Sequence, residues 1–192
     1  MTFKKVYAIR NNVFIYVSEI PKKSKTDEVI IMFKVGDLAV YPAHGIGVIQ
    51  SIEKKETSTG GQIFYIIRIL ETGATIMLPT SNISSVGLRK VVDKTMLPKV
   101  YSILKNKKEP TSDSQTWNRR YREYMEKIKS GCVMEIAKII RELYLLKSNK
   151  ELSFGEKKMF NLAKSLLVKE LAITKNTVEE KVEAELNKMM GT

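Results

Sequence analysis

Cysteine and histidine are almost absent from this chain, which has one of each among its 192 residues. A lone cysteine, Cys132, excludes an intrachain disulfide and is typical of proteins that work in a reducing cytoplasm. One cysteine and one histidine, His44, without an acidic cluster beside them, are too few for the ligand set of a zinc site. The usual general base and soft nucleophile of enzymes are nearly missing for the same reason. We expect no metal site, no cofactor and no catalytic residues.

Enzyme motifs and long apolar runs are also missing. The sequence contains no Gly-Lys-Ser/Thr phosphate loop, no His-Glu-x-x-His and no Gly-x-Ser-x-Gly. Gly45-Ile46-Gly47 lacks the third glycine of a dinucleotide-binding loop, so hairpin glycines are the better interpretation. No stretch approaches the roughly 18 apolar residues of a membrane span, and the early run Val13–Val17 is too short for a secretory signal. The sequence predicts a soluble cytoplasmic protein that is not an enzyme.

Acidic residues are outnumbered by basic ones, 21 against 33, which gives a formal net charge of +12. The excess is concentrated in residues 91–192, which hold 21 basic and 14 acidic residues, whereas residues 32–90 hold six and four. A basic protein attracts polyanions, nucleic acid first and an anionic membrane surface second. The C-terminal part is therefore the better candidate for binding a polyanion.

Residues 1–31 differ from the rest of the chain and form a candidate N-terminal extension. They combine a short β-prone run with the polar segment Pro21–Glu28. Three alternatives are open for them: a flexible arm, an extra edge strand, or sequence translated from a misplaced start. In the last case Met32 is the alternative first residue.

Residues 32–90 have the pattern of short β-strands. Segments rich in Val, Ile and Tyr are Leu38–Tyr41, Gly47–Ile52, Phe64–Leu70 and Thr75–Leu78. Turn-forming residues separate them at Pro42–Gly47, Thr59–Gly61 and Glu71–Gly73. Connections this short favour antiparallel hairpins, because a parallel crossover needs about a dozen residues. We predict a small antiparallel barrel of the Tudor or SH3 type.

Residues 91–192 change to a helical period. Apolar stripes at helical spacing run over Met96–Leu104, Val133–Tyr144, Met159–Leu167 and Val178–Met189. Ser153–Glu156 has the form of a capping box that opens the third of these helices. The sequence therefore predicts an α+β multidomain protein, with the small barrel followed by an all-α helical bundle.

The only tryptophan, Trp117, allows two interpretations. In a helix that starts near Ser114, Trp117 shares one stripe with Tyr121, Tyr124 and Ile128. Such a stripe usually packs on a core, so periodicity alone favours a structural anchor.

The position and the neighbours of Trp117 favour a role in nucleic-acid binding. Its side chain falls in the first helical turn and projects past the helix end, beside Arg119, Arg120 and Arg122. Helix N-termini and arginines bind phosphates, while aromatic or apolar wedges unstack base steps from the minor groove. Lys157, in the first turn of a later helix, could extend one basic surface.

Four segments of the chain carry a family resemblance. They are residues 32–49, which begin Met-Phe-Lys-Val-Gly-Asp, and the motifs Ser85–Arg89, Trp117–Tyr121 and Leu152–Met159. In this order they resemble the CarD/CdnL family of bacterial transcription regulators. The resemblance covers residues 32 to about 190, which is nearly everything except the candidate extension.

The resemblance implies a function. In this family a Tudor-like N-terminal domain, shared with the polymerase-interacting domain of transcription-repair coupling factor, docks on the β subunit of RNA polymerase. The helical domain then reaches promoter DNA just upstream of the −10 element. A tryptophan that matches Trp117 wedges into the minor groove at the upstream edge of the bubble and stabilises the open complex. The implied partners are polymerase and promoter DNA, and we expect a monomer that associates with the nucleoid through polymerase.

The resemblance also implies roles for individual residues. The DNA contacts carry over to Trp117, Arg119, Arg120, Arg122 and Lys157. The polymerase contacts carry over to Lys55, Thr57 and Met77, where Met77 replaces an arginine of some members. Docking is therefore expected to depend more on strand-edge pairing and apolar contact than on charge.

Two other readings stay open. Gly36-Asp37-x-x-Val40, followed by Gly-x-Gly-Val, also resembles the KOW-type barrels of ribosomal and elongation proteins, which suggests an RNA-binding module. That reading explains the barrel and the charge but leaves the C-terminal motifs unexplained. A third reading is a scaffold in which Trp117 is structural and no nucleic acid binds.

Overall fold

The computed structural model describes residues 32–57, 60–106 and 116–190 of the chain. The candidate extension at residues 1–31 and the expected helix start at Ser114 lie outside these described residues. Internal contacts divide the chain into two compact units. The first unit runs up to Ala39 and resumes over Ile46–Ser85, and the second contains Val40–Gly45 and the chain from Val86 onward. As a domain boundary, residue 90 stays a prediction.

Within the described residues, five strands form one sheet. They are β1 (Leu38–Tyr41), β2 (Gly45–Thr57), β3 (Gly60–Ile69), β4 (Thr75–Pro79) and β5 (Arg89–Lys90). Their order across the sheet is β4-β3-β2-β1-β5, so consecutive strands from β1 to β4 are neighbours. β4 therefore stands at one end of the sheet.

The long strands pair in antiparallel register, as predicted from the short connections. β2 and β3 pair from Gly47 opposite Ile69 to Thr57 opposite Gly60, and β4 pairs with β3 in the same antiparallel sense. β2 continues through polar residues to Thr57, and β3 begins at Gly60 and not at Phe64. Cross-strand pairing continues there although most of these residues are not apolar.

The core of the first unit is formed by aromatic and β-branched residues. Phe33, Ile49, Tyr65 and Ile67 are completely buried. The Phe33 amide donates a hydrogen bond to the Tyr65 hydroxyl at 3.2 Å, and the two rings meet edge to face at 5.8 Å. A Cβ at Gly47 would come within 2.5 Å of Ile67 Cγ2, so the close approach of β2 to β3 requires glycine there.

The rest of the described chain is mainly helical. Its helices are α1 (Ile83–Val86), α2 (Leu97–Lys105), α3 (Trp117–Lys129), α4 (Val133–Asn149), α5 (Phe154–Lys175) and α6 (Glu179–Met190). α4 packs against α2, α3 and α5, and α5 packs against α6. None of the helices in the described ranges is long and apolar enough to cross a membrane.

The predicted helical stripes supply most of the helical core. Residues buried from these stripes include Val100, Leu104, Ile136, Ile140, Leu143, Met159, Leu167 and Leu186. The last stripe differs at both ends. α6 begins at Glu179, which leaves Val178 54% exposed before the helix, and Met190 is buried in place of Met189. The predicted fold class, an antiparallel β domain followed by a helical domain, is confirmed.

Candidate nucleic-acid interface

The helix that carries the arginines begins at the tryptophan itself. Thr116 is the N-cap of α3 in an extended conformation, and its side chain makes no capping hydrogen bond. The amides of Arg119 and Arg120 both donate to the Thr116 carbonyl at 3.1 Å. Trp117 is therefore the first residue of α3, at the end where free amides and the helix dipole favour negative charge.

The apolar stripe of α3 emerges from the core toward this end. Ile128 and Tyr124 are buried, with exposures of 0% and 3%, whereas Tyr121 is 45% exposed. Trp117 is partly buried and packs against the edge of the helical core, with its ring centroid 5.6 Å from that of Tyr121. Its indole thus contacts both the core and solvent.

The indole of Trp117 lies against the first turn of α5. An ideal Cβ built on Gly155 would stand 2.8 Å from Cζ2, 3.0 Å from Cε2 and 3.1 Å from Nε1 of Trp117. Real Cβ atoms do not approach so closely, so this side of the indole occupies the space that a larger residue at Gly155 would need. The start of α3 and the start of α5 therefore meet at one tryptophan.

A buried ion pair joins the same two helix starts. The Arg120 Nη2 atom lies 2.5 Å from the Glu156 Oε1 atom, and the two side chains are only 8% and 5% exposed. The Arg120 guanidinium carbon lies 6.0 Å from the centroid of the Trp117 ring, within cation–π range. Among the described residues, the buried Arg120 Nε has no hydrogen-bond partner.

Glu156 also completes the predicted capping box of α5. Its Oε2 accepts a hydrogen bond from the Ser153 amide at 2.9 Å, and its own amide donates to Ser153 Oγ at 3.4 Å. Burial by itself raises the pKa of Glu156, but the hydrogen bonds with Ser153 and then the charges of Arg120 and Lys150 lower it by more. The net result is a pKa below the ordinary 4.5. Glu156 is held as a carboxylate.

The expectation that Arg120 contacts DNA is corrected by this geometry. Its guanidinium is buried and already bound to Glu156, so it could meet a phosphate only by breaking that pair. The sequence contained a signal for this, because Arg120 stands four and eight residues before Tyr124 and Ile128, on the buried stripe of α3. The contacts of its guanidinium are with Glu156 and the ring of Trp117.

The other predicted basic contacts remain exposed. Arg119 is 69% exposed and lies 3.2 Å from Glu123, and Lys157 is 53% exposed and lies 2.6 Å from Glu151. Arg122 is exposed and has no ion-pair partner among the described residues. Exposed pairs of this kind are weak because water screens them, so phosphates can compete for these side chains.

One exposed aromatic at this end of the helices was not predicted. Phe154, the first residue of α5 and the neighbour of Gly155, is 84% exposed. Phe154 follows the Ser153 cap and is not part of the Met159–Leu167 stripe. This position in the sequence already indicates that its side chain is not in the core. Phe154 adds apolar surface next to Gly155, which the Trp117 indole contacts.

The predicted polymerase contacts lie on the first unit. Lys55 Nζ lies 3.3 Å from Met77 Sδ and 3.5 Å from Glu53 Oε2, so the structure brings Lys55 and Met77 together. Both are about half exposed, at 47% for the Lys55 side chain and 50% for Met77. Thr57 is the last residue of β2, opposite Gly60.

In the part of the chain that the structure describes, no group of His, Cys, Asp and Glu side chains could hold a metal ion.

Two protein families match successive parts of the chain. The family described as "CarD-like/TRCF RID domain" matches residues 33–92, and the family described as "CarD, C-terminal domain" matches residues 99–187. The "Putative transcription factor YdeB" of Bacillus subtilis (strain 168) is 36% identical over 153 residues, 80% of this chain and 99% of that protein. These matches define a two-part transcription factor.

The family follows from the same matches. The chain belongs to the CarD/CdnL family, as the sequence motifs predicted. A solved structure titled "CdnLNt from Myxoccoccus xanthus" is 39% identical, with a TM-score of 0.28, and the match covers 40% of this chain and 97% of that one.

Proposed function

We propose that this protein docks on the β subunit of bacterial RNA polymerase and stabilises the open promoter complex by inserting Trp117 into DNA upstream of the −10 element. The observation that carries the DNA part is the place of Trp117, which is partly exposed as the first residue of α3, beside exposed Arg119 and Arg122. The match of residues 33–92 to the CarD-like/TRCF RID domain supports polymerase as the partner.

An indole at a helix start can act as a wedge in partly melted DNA. Aromatic stacking on a base contributes about 1–3 kcal/mol. Since each 1.4 kcal/mol changes an equilibrium constant about tenfold, one wedge can lengthen the life of a melted promoter roughly 5- to 140-fold. The exposed ring of Tyr121 and the phenyl group of Phe154 add apolar surface close to the indole.

Basic side chains near the indole would hold the DNA backbone. Arg119, Arg122 and Lys157 are exposed and can bind phosphates, and the N-terminus of α3, where the Thr116 side chain makes no capping hydrogen bond, also favours negative charge. Phosphate contacts carry no sequence information and weaken with salt. We therefore propose that recruitment by polymerase, and not base readout, determines where the protein acts, as a monomer in the cytoplasm.

The polymerase contact would use the end of the sheet. β4 stands at one end of the strand order, so its outer backbone groups can pair with a strand of another protein. Met77 on β4 and the stem of Lys55 offer apolar contact, and the Lys55 ammonium offers one charge at that face. Thr57 stays a proposed neighbour of this surface.

The test is the lifetime of heparin-challenged open complexes, with and without the protein. We expect the wild-type protein to lengthen the lifetime on a promoter whose complexes are short-lived, and a protein with reversed charge at Lys55 to need a higher concentration for the same effect. An unchanged lifetime at saturating protein would contradict the proposal. A gel shift that compares structured RNA with forked promoter DNA tests the alternative of an RNA-binding module.

A further inference from the structure

We infer that Gly155 and the buried Arg120–Glu156 pair are positioning elements that hold the Trp117 indole in one orientation before DNA arrives. The inference rests on the proposed role of Trp117 and extends it to residues that need not touch DNA. Two observations carry it: the contact of the indole with Gly155 and the burial of the ion pair beside it.

Gly155 is present for space and not for backbone conformation. It is the second residue of α5, and its φ is not among the positive values of this chain. Glycine is a poor helix former compared with alanine, so the helix alone would favour alanine at this position. A Cβ there would approach the indole to 2.8 Å, and the mobile partner in that collision is the Trp117 side chain. The missing side chain of Gly155 therefore leaves room for the indole, and we call this contact surface at Gly155 the seat of the indole.

The ion pair fixes the distance between Gly155 on α5 and Trp117 on α3. Arg120 follows Trp117 by three residues in the first turn of α3, and Glu156 follows Gly155 directly in α5. The pair thus joins the two turns that the indole contacts, and the Ser153–Glu156 capping box fixes the carboxylate in turn. Burial of both charges makes the pair resistant to exchange with water.

A wedge that is already oriented loses less conformational freedom when it inserts. If the competent orientation is only fractionally populated, the apparent affinity for DNA falls by that fraction. An indole displaced from Gly155 could still stack on bases, but a smaller fraction of the protein would hold it in the orientation that does so. Loss of the seat should therefore shorten the open-complex lifetime several-fold, by less than loss of the indole.

The single tryptophan makes the orientation measurable in the full chain, because all tryptophan fluorescence comes from Trp117. Gly155→Ala is compared with wild type for its emission maximum, acrylamide quenching, melting temperature and effect on open-complex lifetime. We expect red-shifted emission, stronger quenching, a little-changed melting temperature and a several-fold shorter lifetime. Glu156→Gln, which can keep the capping hydrogen bonds but loses the charge, should shift the emission in the same direction.

A double-mutant cycle separates positioning from a general effect on structure. If Gly155 acts through the indole, Gly155→Ala should have no further effect on lifetime in a Trp117→Ala background. Wild-type emission and quenching in Gly155→Ala, or equal loss of lifetime in both backgrounds, would overturn the inference. A wild-type lifetime for Gly155→Ala beside a short one for Trp117→Ala would also overturn it and leave the proposed function standing. A wild-type lifetime for Trp117→Ala would overturn the proposed function and, with it, the DNA part of this inference, while the fluorescence still decides whether Gly155 seats the indole.

Discussion

The two candidate binding regions differ in how their side chains are held. On the first unit, Lys55 and Met77 are half exposed and contact each other across the sheet. At the helix starts of the second unit, the indole of Trp117 packs on Gly155 beside a buried ion pair. A substitution in the first region should therefore change binding alone, whereas one that breaks the buried Arg120–Glu156 pair should change folding stability as well. Experiments on the two regions need different controls.

The largest effect is expected from breaking the buried ion pair. Arg120→Met leaves the Glu156 carboxylate buried without its partner, which should lower the free energy of unfolding by about 3–5 kcal/mol. Chemical denaturation followed by circular dichroism measures this change. The matched control is Arg119→Met on the next residue, which is 69% exposed and should change stability by less than about 0.5 kcal/mol. Equal effects of the two substitutions would contradict the difference between the regions.

A smaller effect is expected from pH, and it sharpens the assignment of Glu156. Because the pKa of Glu156 in the folded protein lies below 4.5, its ionised form stabilises the fold above that pH. This stability should be lost as the pH falls below 4.5 through the folded pKa. Asp93 and Glu151 also have lowered pKa values, so the signal is the difference between wild type and Glu156→Gln. Parallel pH profiles for the two proteins would show that Glu156 does not contribute.

On the first unit, reversing one charge should change binding without changing stability. Lys55→Glu should weaken binding to a β-subunit fragment roughly fivefold, because an exposed charge contributes about 1 kcal/mol or less. Lys54→Glu is the matched control, since adjacent residues of a strand point to opposite faces. Indifference of the β-subunit fragment to Lys55→Glu would remove this residue from the docking surface.

The smallest effect is expected from one exposed arginine. Arg122→Ala should reduce the steepness of the plot of log binding constant against log salt by about 0.9 for duplex DNA, because one phosphate contact is lost. Binding of forked promoter DNA at several salt concentrations measures the slope. Lys188→Ala removes the same charge from an exposed position on α6 and should leave the slope unchanged. If both variants lower it equally, the attraction is a property of net charge and not of the α3 surface.

Local patterns in the sequence predicted the fold well. β1 and β4 were predicted to within one residue, and the capping box of α5 was predicted from Ser153 and Glu156 alone. These features depend on neighbours a few residues apart, which a single sequence displays directly.

What depends on distant contacts could not be predicted in the same way. The ion pair of Arg120 joins residues 36 positions apart, and the seat for Trp117 comes from Gly155 on another helix. Arginines beside a tryptophan are typical of both a phosphate site and a packed helix end, and only burial separates the two. The local sequence therefore predicts a phosphate contact for Arg120, whereas its place on the buried stripe indicates the core, where the structure has it.

The most direct test of the central claim is the lifetime of one open promoter complex with wild-type protein, Trp117→Ala and Trp117→Phe. If the indole is a wedge, Trp117→Ala should shorten the lifetime roughly 5- to 140-fold, the effect of losing about 1–3 kcal/mol of stacking. Trp117→Phe should keep part of the effect, and all three proteins should remain folded. A large fall in the melting temperature of Trp117→Ala, with an unchanged lifetime for the folded protein, would instead show that Trp117 is a structural anchor.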